Sequence, residues 1–496
     1  MKKFWISALL ILSAAVFHAP CEGAMVLNGN TGSVKKSFYF CTDAESFAIQ
    51  PTDFTRLTDM NGEGVQFAEV LYGLGNPVLR LASMQRWDWR SEEASLALVQ
   101  SSFRTKPLKA LGYNYMTAKQ YYDFAKANGV ASIPMLDVRY FYDANDKTVK
   151  DTADNLSQAA AQYAAGYAEF IKKGGYKVLF WELGNEDYSE SLHFSPEKYA
   201  KVVKAFIDAV LKVDPKAKFC IQINIWDGKS RSWTDRALSG LKGYERHIDY
   251  AAVHYYNQVD FTDRITDEIV TYLRGKGFFK TRLAITEWRH SGDPDEYDRK
   301  FKSAAVYARY LLYMVKHRDI EYSCVHSLPV FGGLAEWSDG AFWTGYSEEL
   351  GAIGIPDTAK TSRWRVLPFG LAQKMIIDAL EGRSLIDYSE NPGKTSAYLF
   401  SGSSGRSMVI INEGAAESTG SVKLDNVPDI TQITGVELLS SDVEAKPSDT
   451  EPQPWSVEKM YIGYLDSYSN GSSAAVSGGA VTFRLRPYAV VKIDLN

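Results

Sequence analysis

The chain has few residues that bind metals or form disulfides. Among its 496 residues there are four cysteines and seven histidines, and no CxxC or HExxH motif occurs. The histidines are scattered, so we expect no catalytic metal site. Cys220 and Cys324 lie inside apolar, strand-like runs. We therefore expect Cys41, Cys220 and Cys324 to be buried free thiols and not parts of a disulfide framework.

Strong charge, a nucleotide-binding glycine motif and a membrane-spanning segment are also lacking. The formal net charge of −5 is small for this length and argues against nucleic acid as a partner. No glycine-rich GxGxxG follows an early strand, which removes the main dinucleotide-binding alternative. Beyond the N-terminus, no apolar run is long enough for a membrane helix. We expect neither a cofactor nor a transmembrane segment.

The N-terminus has the pattern of an export signal. Lys2 and Lys3 precede the apolar run Phe4 to Phe17, which is too short to span a bilayer as a mature helix. The expected signal peptide covers residues 1–24, and the mature protein would be periplasmic or extracellular. Cys21 leaves lipid attachment open as an alternative form of export.

Strand-like runs alternate with amphipathic helical stretches from about Ser37 to Leu328. The helical stretches carry apolar residues at three- and four-residue spacing, as in Leu156 to Lys173. Strands separated by helices in this way favour an α/β fold, a closed (β/α)8 TIM barrel, over an open doubly wound sheet. The eight candidate strands are Phe38–Cys41, Val78–Leu81, Ala131–Leu136, Val178–Trp181, Phe219–Ile223, Tyr250–His254, Leu283–Thr286 and Tyr322–His326.

The pattern changes after a long predicted helix, Val366 to Leu380. Short alternating runs separated by Gly, Ser and Asn follow it, such as Ser407–Ile411 and Ala480–Leu485. Such runs are typical of an antiparallel β-sandwich. The predicted domains are a catalytic barrel over residues 25–385 and a C-terminal β-sandwich domain over residues 386–496.

Two of the predicted barrel strands end in a glutamate. Glu186 follows the fourth strand, where Gly184 marks the point at which the chain leaves the sheet, and Glu287 ends the seventh. The carboxyl ends of parallel barrel strands carry the chemistry of this fold, so the two side chains should share one site. A carboxylate pair of this kind is what glycoside hydrolysis needs, with about 5–5.5 Å between the carboxyl groups in retaining enzymes.

Polar and aromatic residues at other strand ends are the candidates for substrate binding, and tryptophans beside charged residues suit stacking on sugar faces. Other interpretations stay open. Arg80 could pair with a core carboxylate, the tryptophans could be barrel packing, and Glu182 could support the site or pair inside the barrel. The candidate binding residues are Arg80, Trp87, Trp89, Asn185, His254, Tyr256, Trp288 and Trp337.

The stretches Trp181–Asp187, His254–Tyr256 and Ile285–Trp288 resemble motifs of the retaining glycoside hydrolases of clan A. The architecture is similar to that of the family 51 α-L-arabinofuranosidases, which combine such a barrel with a C-terminal sandwich. This resemblance implies that Glu186 is the acid/base and Glu287 the nucleophile.

The resemblance also implies roles for the residues around the pair. Asn185 would contact the sugar 2-hydroxyl, Arg80 would lie beside Glu287, and His254 and Tyr256 would line the same pocket.

The sequence therefore predicts an exported retaining glycoside hydrolase that acts on an oligo- or polysaccharide, most similar to an α-L-arabinofuranosidase. A β-xylosidase, a β-glucuronidase and an endo-β-glycanase or agarase on the same barrel are alternatives within the enzyme class. A non-catalytic carbohydrate-binding protein is the alternative of another class, although a binder has no need of both glutamates.

Overall fold

The computed structural model describes most of the predicted barrel and sandwich, and no helix in the described residues is both long and apolar enough to cross a membrane. The predicted signal at residues 1–24 lies outside the described residues. The described residues are 25–28, 38–43, 49–51, 57–58, 64–65, 75, 78–81, 89, 113–115, 117–136, 138, 153–189, 194–256, 263–289, 301–325, 335–337, 364–366, 368–425, 433–440, 456–460, 473–477 and 480–495.

Eight parallel strands close into a barrel. Each strand pairs with the next one along the chain, and the eighth pairs with the first through Cys324 and Cys41. The predicted (β/α)8 fold is therefore confirmed, and each predicted strand overlaps an observed one. The barrel strands are Tyr39–Asp43, Val78–Leu81, Ser132–Leu136, Trp181–Leu183, Phe219–Gln222, Tyr250–Tyr256, Arg282–Arg289 and Ile320–Val325.

Helices separate the barrel strands, and local sequence signals fix where several of them begin. Thr117 and Gln120 form a capping box, in which each side chain bonds the other residue's backbone N–H. Ser195 caps the helix that begins at Pro196, a residue whose fixed φ suits the first helical turn. The described helices are Ala118–Ala127, Ala153–Gly174, Pro196–Val213, Gly228–Gly240, Asp263–Gly275, Ser303–Lys316 and Pro368–Leu380, with a 3-10 turn at Glu245–His247.

The interior of the barrel changes character along its strands. At one level it is filled by buried apolar side chains, which we call the interior apolar cluster: Cys41, Val78, Ala131, Ile133, Phe180, Cys220, Tyr250, Ala252, Ala284, Tyr322 and Cys324. Two residues further along five of these strands lie the members of what we call the polar layer: Arg80, Glu182, Gln222, His254 and Thr286. A two-residue step returns to the same face of a regular strand, so Arg80, Glu182 and Gln222 face the barrel axis like the cluster. The register of the sixth and seventh strands shifts at His254, whose Nε2 lies 3.1 Å from the Thr286 hydroxyl.

A second unit consists of two β-sheets around one apolar core. The core draws on both sheets, with Leu399, Met408 and Ile410 from one and Leu27, Val422 and Phe483 from the other. The six-stranded sheet contains Arg383–Ser389, Thr395–Gly402, Gly405–Asn412, Val490–Leu495, Ile433–Ser440 and Ser456–Met460. The four-stranded sheet contains Met25–Asn28, Ser418–Asp425, Ala480–Leu485 and Ser473–Ser477.

The structure differs from the predicted domain boundaries at the N-terminus. Met25–Asn28 was expected in the barrel domain, but it pairs in parallel with Ser418–Asp425 at the edge of the four-stranded sheet. The sequence MVLN is too short to reveal its partner, because parallel pairing leaves no hairpin turn in the sequence. Three short two-stranded sheets complete the description: Ile49–Pro51 with Tyr113–Tyr115, Leu57–Thr58 with Gly64–Val65, and Ala335–Trp337 with Trp364–Val366.

Candidate active site

The fourth barrel strand ends in a sharp turn that carries Glu186. Gly184 has φ +89 and Glu186 has φ +53, so the backbone turns out of the sheet through two left-handed residues. A Cβ atom on Gly184 would clash with Oδ2 of Asp187. Glycine is therefore required here both by its backbone conformation and by the closeness of Asp187.

The fourth and fifth strands separate at the same point. Their ladder ends at the pair Leu183 and Ile221. Beyond it, the hydroxyl of Tyr199 accepts the Gln222 N–H at 2.8 Å and donates to the carbonyl of Leu183 at 2.8 Å. A side chain from the following helix thus satisfies the backbone groups that the separating strands no longer share.

Arg80 is fully buried and joins three acceptors. Its Nε and Nη2 donate to the two carboxylate oxygens of Glu182 at 2.6 and 2.9 Å. Nη1 donates to Oε1 of Glu287 at 2.7 Å, and Nη2 also donates to Oδ1 of Asn185 at 2.7 Å. The planar guanidinium therefore fixes Glu287 relative to the end of the fourth strand.

His254 lies between the two strand-end glutamates. Its Nδ1 is 2.8 Å from Oε1 of Glu186 and 3.4 Å from Oε2 of Glu287. Its Nε2 is 3.1 Å from the hydroxyl of Thr286. A ring that donates from Nδ1 to the carboxylates can accept the Thr286 hydroxyl at Nε2, so the two contacts suit one tautomer.

One ligand atom from each of Glu186, His254 and Glu287 lies within 4.8 Å of the others, and this is the only such cluster among the described residues. The three side chains could in principle hold a metal ion. The charge of Arg80, bound to Glu287, opposes a cation at this point. The arrangement suits hydrogen bonding between a shared imidazole and two carboxyl groups better than metal coordination.

The two glutamates differ in exposure. The side chain of Glu287 is 7% exposed, whereas that of Glu186 is 39% exposed. The hydroxyl of Tyr188 donates to Oε1 of Glu186 at 3.4 Å. Burial raises the pKa of Tyr188 well above its usual value, and the negative charges of Glu186 and Glu287 raise it further. Tyr188 therefore remains a neutral donor beside Glu186.

The structure brings together five of the residues predicted from the sequence: Glu186, Glu287, Arg80, Asn185 and His254. Both open interpretations of Arg80 and Glu182 apply at once, because Glu182 pairs with Arg80 inside the barrel and Arg80 also binds Glu287.

Two predicted tryptophans lie elsewhere. Trp288 has no exposed surface, donates to the Ser323 hydroxyl at 2.8 Å and packs against Tyr307. Trp89 packs against Tyr167 and Phe170 of the helix Ala153–Gly174. The structure therefore places both indoles in packing and outside the glutamate cluster.

Three further predicted binding residues cannot be placed in or out of the cluster. Trp87 lies outside the described residues. Tyr256 and Trp337 lie in described strands, but their side chains are outside the description. Their roles stay predictions from the sequence.

Sequence reasoning missed three contributors to the site: Gln222, Thr286 and Tyr188. Gln222 was a weak signal, since it is one polar residue in the apolar run Phe219–Ile223. The Gln222 Nε2 donates to Oε1 of Glu182 and to the carbonyl of Gly184, both at 3.0 Å. Tyr188 could have been found by its place two residues after Glu186.

Comparison with known proteins identifies the class of fold. No protein-family profile matches the chain, and no curated protein matches it. Solved structures do match, and they show a (β/α)8 barrel of the kind found in clan A glycoside hydrolases.

The matching structures include arabinofuranosidases and xylanases. A family 51 α-L-arabinofuranosidase from Bifidobacterium longum has a TM-score of 0.65 and 12% identity, over 96% of this chain and 100% of that one. The family 51 enzyme from Thermotoga petrophila has a TM-score of 0.61 and 15% identity, over 95% and 100%.

A family 30 endoxylanase from Clostridium papyrosolvens has a TM-score of 0.53 and 14% identity, over 96% of this chain and 100% of that one. At these identities the likeness establishes the fold. The predicted resemblance to family 51 is confirmed at that level, and the chemistry must be argued from the site.

Proposed function

We propose that the protein is a retaining glycoside hydrolase with Glu186 as acid/base and Glu287 as nucleophile. The observation that carries the proposal is the meeting of two carboxyl groups from the ends of the fourth and seventh barrel strands, with ligand atoms within 4.8 Å of each other. Retaining enzymes hold the two groups about 5–5.5 Å apart, and inverting enzymes about 6.5–9.5 Å. The observed closeness favours the retaining arrangement.

The contacts of Glu287 suit a nucleophile. Arg80 binds Oε1 at 2.7 Å and favours the ionised carboxylate. We assign the attack on the anomeric carbon to Oε2, the oxygen that lies 3.4 Å from Nδ1 of His254. The bond from that carbon to the leaving oxygen breaks as the new bond to Oε2 forms.

The contacts of Glu186 suit the acid/base. Within the described part of the chain, its side-chain hydrogen bonds go to Oε1, from Tyr188 and His254. Oε2 can therefore carry the proton that is donated to the leaving oxygen. In the second step Glu186 takes a proton from water, whose oxygen attacks the anomeric carbon and releases Glu287. The greater exposure of Glu186 allows that water and that proton to exchange with solvent.

The substrate class we propose is an α-L-arabinofuranoside in an oligo- or polysaccharide. The similarity to arabinofuranosidases in fold supports this choice, and the site supplies no feature that favours another sugar. The similarity to xylanases keeps β-xylosidase and endo-β-glycanase as candidates, with β-glucuronidase and agarase beside them. A panel of aryl glycosides and of plant and algal polysaccharides separates these activities.

Replacing the two glutamates tests the mechanism. Glu287→Ala should be inactive on every natural substrate, because no covalent intermediate can form. Glu186→Ala should still react with an activated aryl glycoside, since a nitrophenolate leaves without protonation. Hydrolysis of any sugar conjugate that survives Glu287→Ala unchanged would contradict the proposal, and no hydrolysis by the wild type would favour a carbohydrate-binding protein.

Azide distinguishes the two roles. With Glu186→Ala, azide needs no general base, so it should speed turnover and give a glycosyl azide with the configuration of the substrate. With Glu287→Ala, azide should attack the substrate directly and give the opposite configuration. The reverse pattern would show that the two roles are exchanged.

Export belongs to the same proposal. The basic start at Lys2 and Lys3 and the apolar run after it support a signal peptide over residues 1–24. Expression of the full chain with a C-terminal tag, followed by N-terminal sequencing of the exported protein, tests it. Recovery in the cytoplasm with an intact N-terminus would contradict export, and a lipid on Cys21 would identify a lipoprotein.

A further inference from the structure

The side chain of Gln222 hydrogen-bonds to groups that hold the two catalytic glutamates in place. It is 1% exposed and lies in the polar layer, at the end of the fifth barrel strand. Its Nε2 donates to Oε1 of Glu182 and to the carbonyl of Gly184, both at 3.0 Å. Its Oε1 accepts the backbone N–H of Glu186 at 3.4 Å.

These contacts meet at a strained part of the backbone. Glu186 and Tyr488 are the only described residues other than glycine with positive φ. A residue other than glycine is strained in the left-handed region, so surrounding contacts must hold it there. The Gln222 amide binds the carbonyl of Gly184 and the N–H of Glu186, on either side of Asn185.

We propose that Gln222 is a positioning residue that holds Glu186 in its left-handed conformation and so aims the acid/base carboxyl group. The inference rests on the proposed function, because it assigns the consequence of that conformation to acid catalysis. Gln222 is almost fully buried, so it acts through Glu186 and not through contact with substrate.

A purely structural role would have a different signature. Buried side-chain amides are commonly hydrogen-bonded, and the loss of such a hydrogen bond lowers the stability of the fold wherever the amide lies. A residue that aims the acid should matter most when the leaving group needs protonation. The dependence of kcat/KM on the leaving group therefore separates positioning from stability.

The main variant is Gln222→Met, which keeps the length of the side chain and removes all three hydrogen bonds. Gln373→Met is the matched control. Gln373 is a fully buried glutamine on the helix Pro368–Leu380, and its side-chain amide has no hydrogen bond that is seen among the described residues. Both variants are compared with the wild type at equal concentrations of folded protein.

On a disaccharide substrate, Gln222→Met should lower kcat/KM about 100-fold, as misplacement of a catalytic group by about 1 Å does. On a dinitrophenyl glycoside of the same sugar the loss in kcat/KM should be only a few-fold, because this ratio reports the first step, in which that leaving group needs no proton. Gln373→Met should match the wild type on both. Equal losses on the two substrates, or no loss, would overturn the inference.

Gln222→Glu supplies a second variant in case the first folds poorly. At neutral pH its carboxylate faces Oε1 of Glu182 and the carbonyl of Gly184, so repulsion replaces two hydrogen bonds. At acid pH the protonated group can donate again. The loss relative to the wild type should therefore shrink as the pH falls, and a loss independent of pH would count against the inference.

A crystal structure of Gln222→Met provides a result that does not depend on hydrolysis. We expect Glu186 to leave the left-handed region, and a backbone unchanged from φ +53 would overturn the inference. A wild type that hydrolyses no glycoside would refute the proposed function alone. The two failures are thus distinguishable.

Discussion

The interior apolar cluster and the polar layer are built on the same strands but follow different rules. Val78 and Arg80 are two residues apart on the second strand, as are Phe180 and Glu182 on the fourth. The apolar cluster is stabilised by burial and needs no specific partner. In the polar layer Arg80, Glu182 and Gln222 are stable only as a set, because each buried polar group depends on the others.

The two levels differ in what the loss of a neighbouring side chain costs. A buried charge that loses its partner is costly, whereas a buried apolar group that loses a neighbour leaves only a cavity. Substitutions at the two levels should therefore separate stability from catalysis, and the following predictions run from the largest effect to the smallest.

The largest effect is expected for Arg80→Met. It leaves Glu182 and Glu287 buried without their cation, and breaking a buried pair in this way costs about 3–5 kcal/mol. Urea unfolding measures the loss. Arg80→Met combined with Glu182→Leu should recover part of the stability, and a double variant less stable than the single one would contradict the pairing.

The same substitution should change catalysis. Without the cation, the carboxylate of Glu287 is harder to ionise, so the acidic limb of the kcat/KM profile should move to higher pH. Arg80→Lys, which keeps the charge but not the planar fork, should move the limb less. An unmoved limb with only weaker binding would mean that Arg80 holds substrate.

Phe180→Leu should destabilise the protein by about 1–3 kcal/mol, because the ring is fully buried in the interior apolar cluster. The kcat/KM of the folded protein should stay unchanged, since the polar layer keeps its contacts. Thermal unfolding and kinetics at low temperature measure the two quantities. A fall in kcat/KM as large as that of Arg80→Met would show that the two levels are not separate.

Tyr188→Phe should lower kcat/KM about three- to tenfold, the value of one hydrogen bond to Glu186. Burial raises the pKa of Tyr188, so the phenol stays protonated through the alkaline limb and the limb should not move when it is removed. Tyr244→Phe, whose hydroxyl donates to the exposed Asp208, is the control and should be silent.

The smallest effect is expected for the thiols. Cys41, Cys220 and Cys324 are buried in the interior apolar cluster, and burial raises the pKa of Cys41 and of Cys220. Alkylating reagents should therefore modify none of the three in the folded protein and all of them in urea. Peptide mapping by mass spectrometry shows which residues react, and rapid labelling of Cys220 without denaturant would contradict the burial.

The sequence predicts the barrel well because its strands are buried on both faces and read as apolar runs. Glu186 and Glu287 follow from the same pattern, since each stands where such a run ends. Trp288 shows a limit of prediction from strand periodicity. The seventh strand shifts register against both of its neighbours in this region, between Ile285 and Trp288 on one side. An irregularity of this kind re-aims side chains, so alternation counted from the sequence does not give the face of Trp288.

Gln222 and Met25–Asn28 could not be predicted in the same way. The role of Gln222 depends on Glu182, which is 40 positions earlier in the chain. The pairing of Met25–Asn28 depends on Ser418–Asp425, at the other end of the sequence. Local pattern contains no information about partners so far away, and only the folded arrangement reveals them.

The pairing of Met25 with Val422 also bears on the order of folding. All eight barrel strands are synthesised between the two partners, so the barrel can form its neighbouring strand pairs while the four-stranded sheet still lacks its edge. Contacts of long sequence separation form slowly, and the N-terminal strand must wait for them. A tag or truncation at the N-terminus should therefore slow or weaken closure of the sandwich sheet, while the barrel folds at its usual rate.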